Sequence, residues 1–136
     1  MGMRVLIADD HVAVRQALVR SLEQEADIEV VGQAEDGCLA VELAGQLIPD
    51  VVVMDITMPR LDGIGATRQI TERYPGIKVV GLSVHGSRPY VHKMLAAGAK
   101  GYVLKDDDLD ELVKALRAVS DGREYISPSA SDGHSQ

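Results

Sequence analysis

The chain predicts a three-layer α/β fold around a parallel sheet, and three observations predict it. Short aliphatic runs at 4–8, 28–34, 51–54, 77–82 and 101–104 recur with amphipathic stretches between them. The middle run, Val51-Val52-Val53-Met54, shows no polar alternation, which marks a strand buried on both faces. Gly, Pro and Asp gather at the joints, where regular structure has to stop. Five strands alternating with five helices call for a parallel sheet with helices on both faces. With no Trp or Phe and four Tyr, the core has to be aliphatic.

Each element follows in turn. Met1 and Gly2 precede Met3, an alternative first residue, so 1–3 are set apart as an N-terminal extension. The first strand spans 4–8. Asp10 or His11 opens a helix on which Val14, Leu18 and Leu22 recur every fourth residue beside Ala17, ending near Glu25. In the second strand, 28–34, polar Glu29 and Gln33 alternate with apolar neighbours, as at a sheet edge. Gly37 begins a second helix with Val41, Ala44 and Ile48 on its buried face, and Pro49-Asp50 closes it. The central strand runs into Asp55, and Pro59 with Asp62-Gly63 makes a loop. A third helix runs from Gly63 to about Arg73 and stops at Tyr74-Pro75-Gly76. The fourth strand, 77–82, is followed by Ser83 and a loop. A weak fourth helix, about 88–97, buries Val91, Met94 and Leu95. Lys105 follows the fifth strand, 101–104. Asp106 to Asp108 offer N-caps to a last helix carrying Leu109, Leu112, Val113 and Leu116, ending near Gly122. Residues 123–136 turn to Ser, Pro, Asp and Gly and read as a flexible tail or a truncated linker.

Size and charge narrow the function. At 136 residues the chain forms one domain with a single core. A formal net charge of −7 argues against nucleic acid as a direct partner of these residues. Cys38, the one cysteine, allows no internal disulfide, fits a reducing compartment, and is expected to face helix packing. Neither a secretory signal nor a membrane span is legible, so a cytoplasmic location is expected.

The chemistry collects at the strand ends. Asp9 and Asp10 follow the first strand, Asp55 ends the third, Ser83 follows the fourth and Lys105 the fifth. In open parallel sheets, ligands bind outside the carboxyl ends of the strands. If the first and third strands are neighbours, three carboxylates converge, an arrangement that calls for a hard cation such as Mg2+. Singly, each residue has an ordinary reading: Asp9 and Asp10 as helix caps, Ser83 as a loop hydroxyl, Lys105 as a solvated charge. Together, an acid, a hydroxyl or an ammonium at four strand ends is a far more specific pattern. His11, His85, His92 and His134 show no metal-ligand spacing.

In these residues the chain resembles the receiver domain of two-component response regulators. The resemblance rests on the Asp9-Asp10 pair, Asp55-Ile56-Thr57-Met58-Pro59 with Asp62-Gly63, Ser83, and Tyr102-Val103-Leu104-Lys105, and it spans 4–122. Asp10-His11, Gly101 to Lys105 and Tyr125-Ile126-Ser127-Pro128 look most like the subfamily with a C-terminal helix-turn-helix (NarL/FixJ/LuxR-type) output domain. The resemblance implies a flavodoxin-like fold, a (βα)5 unit with a parallel five-stranded sheet in the order 2-1-3-4-5. It implies a signalling switch rather than a metabolic enzyme, one that catalyses only its own phosphotransfer and autodephosphorylation. Asp55 would accept a phosphoryl group from a sensor histidine kinase. Mg2+, or Mn2+ in its place, would be held by Asp10, Asp55 and the backbone carbonyl of Thr57, with Asp9 acting through water. Lys105 and Ser83 would bind phosphoryl oxygens. Ser83 and Tyr102 would form the switch, although Tyr102 reads equally well as a half-buried boundary anchor. Homodimerisation on phosphorylation is a further implication. DNA would be reached only through an output domain absent from these residues, with 123–136 as the linker to it.

Position alone adds that Thr57 and His85 flank the site and tune the phosphoryl lifetime, against the plainer reading of His85 as an exposed loop residue. Two other classes stand beside the switch. An aspartyl-phosphate-forming phosphatase or phosphotransferase usually carries a second acid two residues after its nucleophile, where this chain has Thr57. A phosphorylation-independent interaction module would have no use for Asp55, Lys105 and the acidic pair. A nucleotide-binding domain lacks its motif, since no G-x-G-x-x-G or P-loop follows the first strand.

Overall fold

The computed structural model describes residues 2–84, 86 and 88–130. Among these residues six strands and five helices alternate: β1 Met3–Ala8, α1 Val12–Leu22, β2 Ile28–Ala34, α2 Gly37–Leu47, β3 Val51–Asp55, α3 Gly63–Arg73, β4 Lys78–Ser83, α4 Arg88–Ala96, β5 Gly101–Leu104, α5 Leu109–Ser120 and β6 Tyr125–Ile126. The sheet is parallel in the order β2-β1-β3-β4-β5-β6. The expected 2-1-3-4-5 arrangement is therefore present, extended by a short sixth strand.

Side chains alternate across each strand, and the alternation builds two cores. Leu6, Ala8, Val52, Met54, Val79 and Tyr102 face a layer made by α2, α3 and α4. Val5, Ile7, Val51, Val53, Val80 and Val103 face α1 and α5. β3 is buried along its whole length, as its unbroken apolar run predicts. Three helices start on an aspartate whose carboxylate accepts a backbone amide: Asp36 from Leu39, Asp62 from Gly65 and Asp108 from Glu111.

Four sequence expectations need correction. The apolar face of α1 is largely uncovered: Val14 is 38% exposed, and only Leu22 on this helix is fully buried. Its stripe overhangs a groove of about 280 Å³ that Val14 and Leu18 share with Leu104, Leu109 and Leu112. Ile48 does not extend the buried face of α2. It is the helix C-cap, left-handed at φ 44°, and 53% exposed. Cys38 is exposed rather than packed between helices. Finally, the chain does not loosen at Gly122. Tyr125 and Ile126 pair with Gly101 and Tyr102, and Ser127 and Ala130 are fully buried. A two-residue strand carries too little pattern to be read in advance; its partner strand defines it.

Candidate functional site

The sheet order builds the site. The chain leaves β1 for the edge strand β2, then returns to place β3 on the other side of β1, so a crevice opens between β1 and β3 at their carboxyl ends. The register pairs Ala8 with Met54, which sets the next residues, Asp9 and Asp55, side by side. Asp55 pairs in turn with Leu82, and Ser83 with Leu104, so Ser83 and Lys105 lie just beyond the same level. Adjacent parallel strands thus deliver two carboxylates, a hydroxyl and an ammonium to one rim.

Asp9 and Asp55 are almost fully buried, at 1% and 3% exposure, and Asp10 is partly exposed. Lys105 Nζ lies 3.0 Å from Asp9 Oδ2 and 3.5 Å from Asp55 Oδ2. Neither oxygen receives a well-directed hydrogen bond, and Asp10 Oδ1 is likewise buried without one. Three carboxylates clustered around a single ammonium are costly to bury, so this is a pocket shaped for a further positive ligand. Burial pushes the Asp55 carboxyl up to about 6, and the charge of Asp9 pushes the same way; the Lys105 ammonium and the Thr57 amide act against them. One ligand atom from each of Asp9, Asp10, His11 and Asp55 lies within 4.8 Å of the others. The oxygen-rich donor set fits a hard divalent ion.

His11 was missed as a neighbour of this cluster. Its amide donates to Asp9 Oδ1 at 2.9 Å, and its Nδ1 lies 3.2 Å from the same oxygen and 3.3 Å from Asp10 Oδ1. The signal was available: an aspartate before a helix commonly binds the amide two residues on. Thr57 is exposed, and what it shows toward Asp55 is an amide hydrogen bond. Ser83 is buried, and its hydroxyl is hydrogen-bonded to that of Tyr102. Tyr102 is fully buried and faces α4, so its half-buried reading does not hold. Burial pushes the Tyr102 hydroxyl up, opposed by the bond from Ser83. His85 lies outside the described residues.

Comparison with known proteins agrees with this geometry. The response regulator receiver domain family matches residues 5–117. The chain belongs to that family. It is 44% identical over 126 residues to the transcriptional regulatory protein DegU of Brevibacillus brevis, covering 93% of this chain and 53% of that protein. It is 43% identical over 126 residues to the response regulator GacA of Pseudomonas aeruginosa, covering 93% of this chain and 59% of that one. This receiver therefore spans a little over half the length of those relatives. Among solved structures, a two-component response regulator of the LuxR family from Aurantimonas superposes with a TM-score of 0.95 at 35% identity, covering 99% of this chain and 96% of that one. A structure of RcsB dimers bound to two parallel DNAs gives 0.90 at 30% identity, covering 99% of this chain and 69% of that one. The receiver is thus of the NarL/LuxR type. Among the described residues, no helix is long and apolar enough to cross a membrane.

Proposed function

We propose that Asp55 accepts a phosphoryl group from a phosphohistidine on a sensor kinase and that the receiver then changes conformation to control an output. The observation that carries this is the buried Asp55 Oδ2, without a directed hydrogen bond and beside the Lys105 ammonium that links it to Asp9. In the reaction the P–N bond of the donor breaks and a P–O bond to Asp55 forms, the nitrogen keeping its electron pair. A carboxylate needs no base to act as nucleophile, so the site's task is to manage charge.

Asp10, Asp55 and the Thr57 carbonyl would hold Mg2+, with Asp9 acting through water. Bound there, the ion supplies a positive charge that neutralises carboxylates and phosphoryl oxygens alike. Lys105 releases one of its carboxylates and turns to a phosphoryl oxygen. The Ser83 hydroxyl binds another, which breaks its bond to Tyr102 and makes that pair the switch. Thr57 and His85 limit the approach of water and so tune autodephosphorylation, which a lifetime comparison with His85→Ala would test. The same reading places the receiver in the cytoplasm beside its kinase. It also makes homodimerisation a consequence of phosphorylation, and it assigns DNA binding to an output domain of a longer protein that these residues do not include.

Intact-mass measurement after incubation with a small phosphodonor decides the central step. One added phosphoryl group with Mg2+, none with EDTA and none on Asp55→Asn is the expected result. Labelling of Asp55→Asn, or no labelling of the parent, would overturn it.

A further inference from the structure

We propose that Asp107 and Ser129 form a latch that positions Lys105, so that the segment after β6 and the phosphoryl site set each other's affinity. This rests on the receiver reading and extends it to residues no motif singled out.

Asp107 closes the turn that carries Lys105 by two bonds to Leu104. Its Oδ2 accepts the Leu104 amide at 3.0 Å, and its own amide donates to the Leu104 carbonyl at 3.0 Å. The turn carrying Lys105 is thereby closed into a ring, while the Lys105 amide is tied to the Ser83 carbonyl at 2.8 Å. The other oxygen of Asp107 accepts the Ser129 hydroxyl at 2.6 Å. Burial raises the Asp107 carboxyl, yet hydrogen bonds from Ser129, the Leu104 amide and Ser127 hold it below its ordinary value.

Ser129 is held in place from the other side. The Ser127 amide donates to the carbonyl of Tyr102 at 2.9 Å, and Ser127 Oγ accepts the Ala130 amide at 3.4 Å. Ala130 is fully buried in the same core cluster as Tyr102. One short segment therefore touches the turn holding Lys105 and the backbone of Tyr102. A shift of Lys105 toward a phosphoryl oxygen moves the ring, and the ring pulls on Ser129. By linkage, whatever phosphoryl binding does to the latch, the latch does to phosphoryl binding.

Titration of the full 136-residue chain with beryllofluoride in saturating Mg2+, followed by amide NMR, tests this. Ser129→Ala removes no charge and lies at the surface, so Mg2+ affinity measured alone stays at the parent value. Beryllofluoride affinity is expected to fall about fivefold, the low end of typical coupling. Ser129→Thr keeps the hydroxyl and restores it. In the parent, beryllofluoride slows hydrogen exchange at the Ser127 and Ala130 amides. If the parent binds beryllofluoride and Ser129→Ala binds it equally well, the latch is wrong and the receiver reading survives. A parent that binds none overturns both.

Discussion

Lys105 is closer to Asp9 than to Asp55: its Nζ lies 3.0 Å from Asp9 Oδ2 and 3.5 Å from Asp55 Oδ2. The lysine bridges two buried carboxylates that would otherwise repel each other directly. Lys105→Ala should therefore destabilise the fold at neutral pH in EDTA, by about 2 kcal/mol for a pair at the edge of burial. A divalent ion supplies the same positive charge, so Mg2+ should raise the stability of Lys105→Ala by more than it raises the parent. Urea denaturation with and without Mg2+ reads both numbers, and equal increments would show that the lysine and the ion do not share a task.

Asp55 sets a pH dependence of opposite sign to most paired acids. Its carboxyl stands at about 6 in the fold against an ordinary 3.8. Below the ordinary value the group is protonated whether the chain is folded or not. As pH rises from there through about 6, the unfolded chain ionises first, and stability is lost across that window. Asp55→Asn removes the effect. It should stabilise the metal-free fold above pH 6 by on the order of 3 kcal/mol relative to acid conditions, at 1.36 kcal/mol per pKa unit. Melting temperatures of both proteins between pH 4 and 7.5 should diverge as pH rises; parallel curves would refute the shift.

Gly63 is required by space rather than by turn type. A Cβ there would overlap the carbonyl oxygen of Asp55 and come within 2.7 Å of Ile56 Cα. The Gly63 amide also donates to the Ile56 carbonyl at 2.7 Å. Gly63→Ala should cost about 1–3 kcal/mol, as overpacking does, and should weaken Mg2+ binding because the displaced backbone carries Asp55. Gly76, whose added Cβ would meet nothing within 4 Å, is the control site.

Ile48 holds a left-handed backbone, φ 44° and ψ 63°, with its side chain 53% exposed. Arg4 Nη1 donates to the carbonyls of Leu47 and Ile48, so the local conformation does not depend on the isoleucine. Left-handed backbone costs roughly 1–2 kcal/mol for such residues and much less for Asn. Ile48→Asn should raise stability by about 0.5–1 kcal/mol and the melting temperature by about 2–4 °C per kcal/mol. A lower melting temperature would mean that the exposed isoleucine contributes packing the strain does not outweigh.

Read in order, the chain by itself determined the first five strands, the sheet's direction and the residues that end each of them. Aliphatic runs have few other solutions, and Asp, Gly and Pro mark their ends chemically. β2, α3 and β5 begin and end where the pattern places them. Periodicity also identified an apolar face on α1, but it says nothing about what covers that face, so the exposure of Val14 was invisible. The same limit hid Cys38 and Ile48. Which carboxylate Lys105 prefers, which way Tyr102 points and where residues 125–130 dock were decided only by the tertiary structure. Those outcomes depend on distances between segments far apart in the chain, and no local pattern encodes them. Asp107 and Ser129 stand 22 residues apart, and only the parallel pairing of β5 with β6 brings them together.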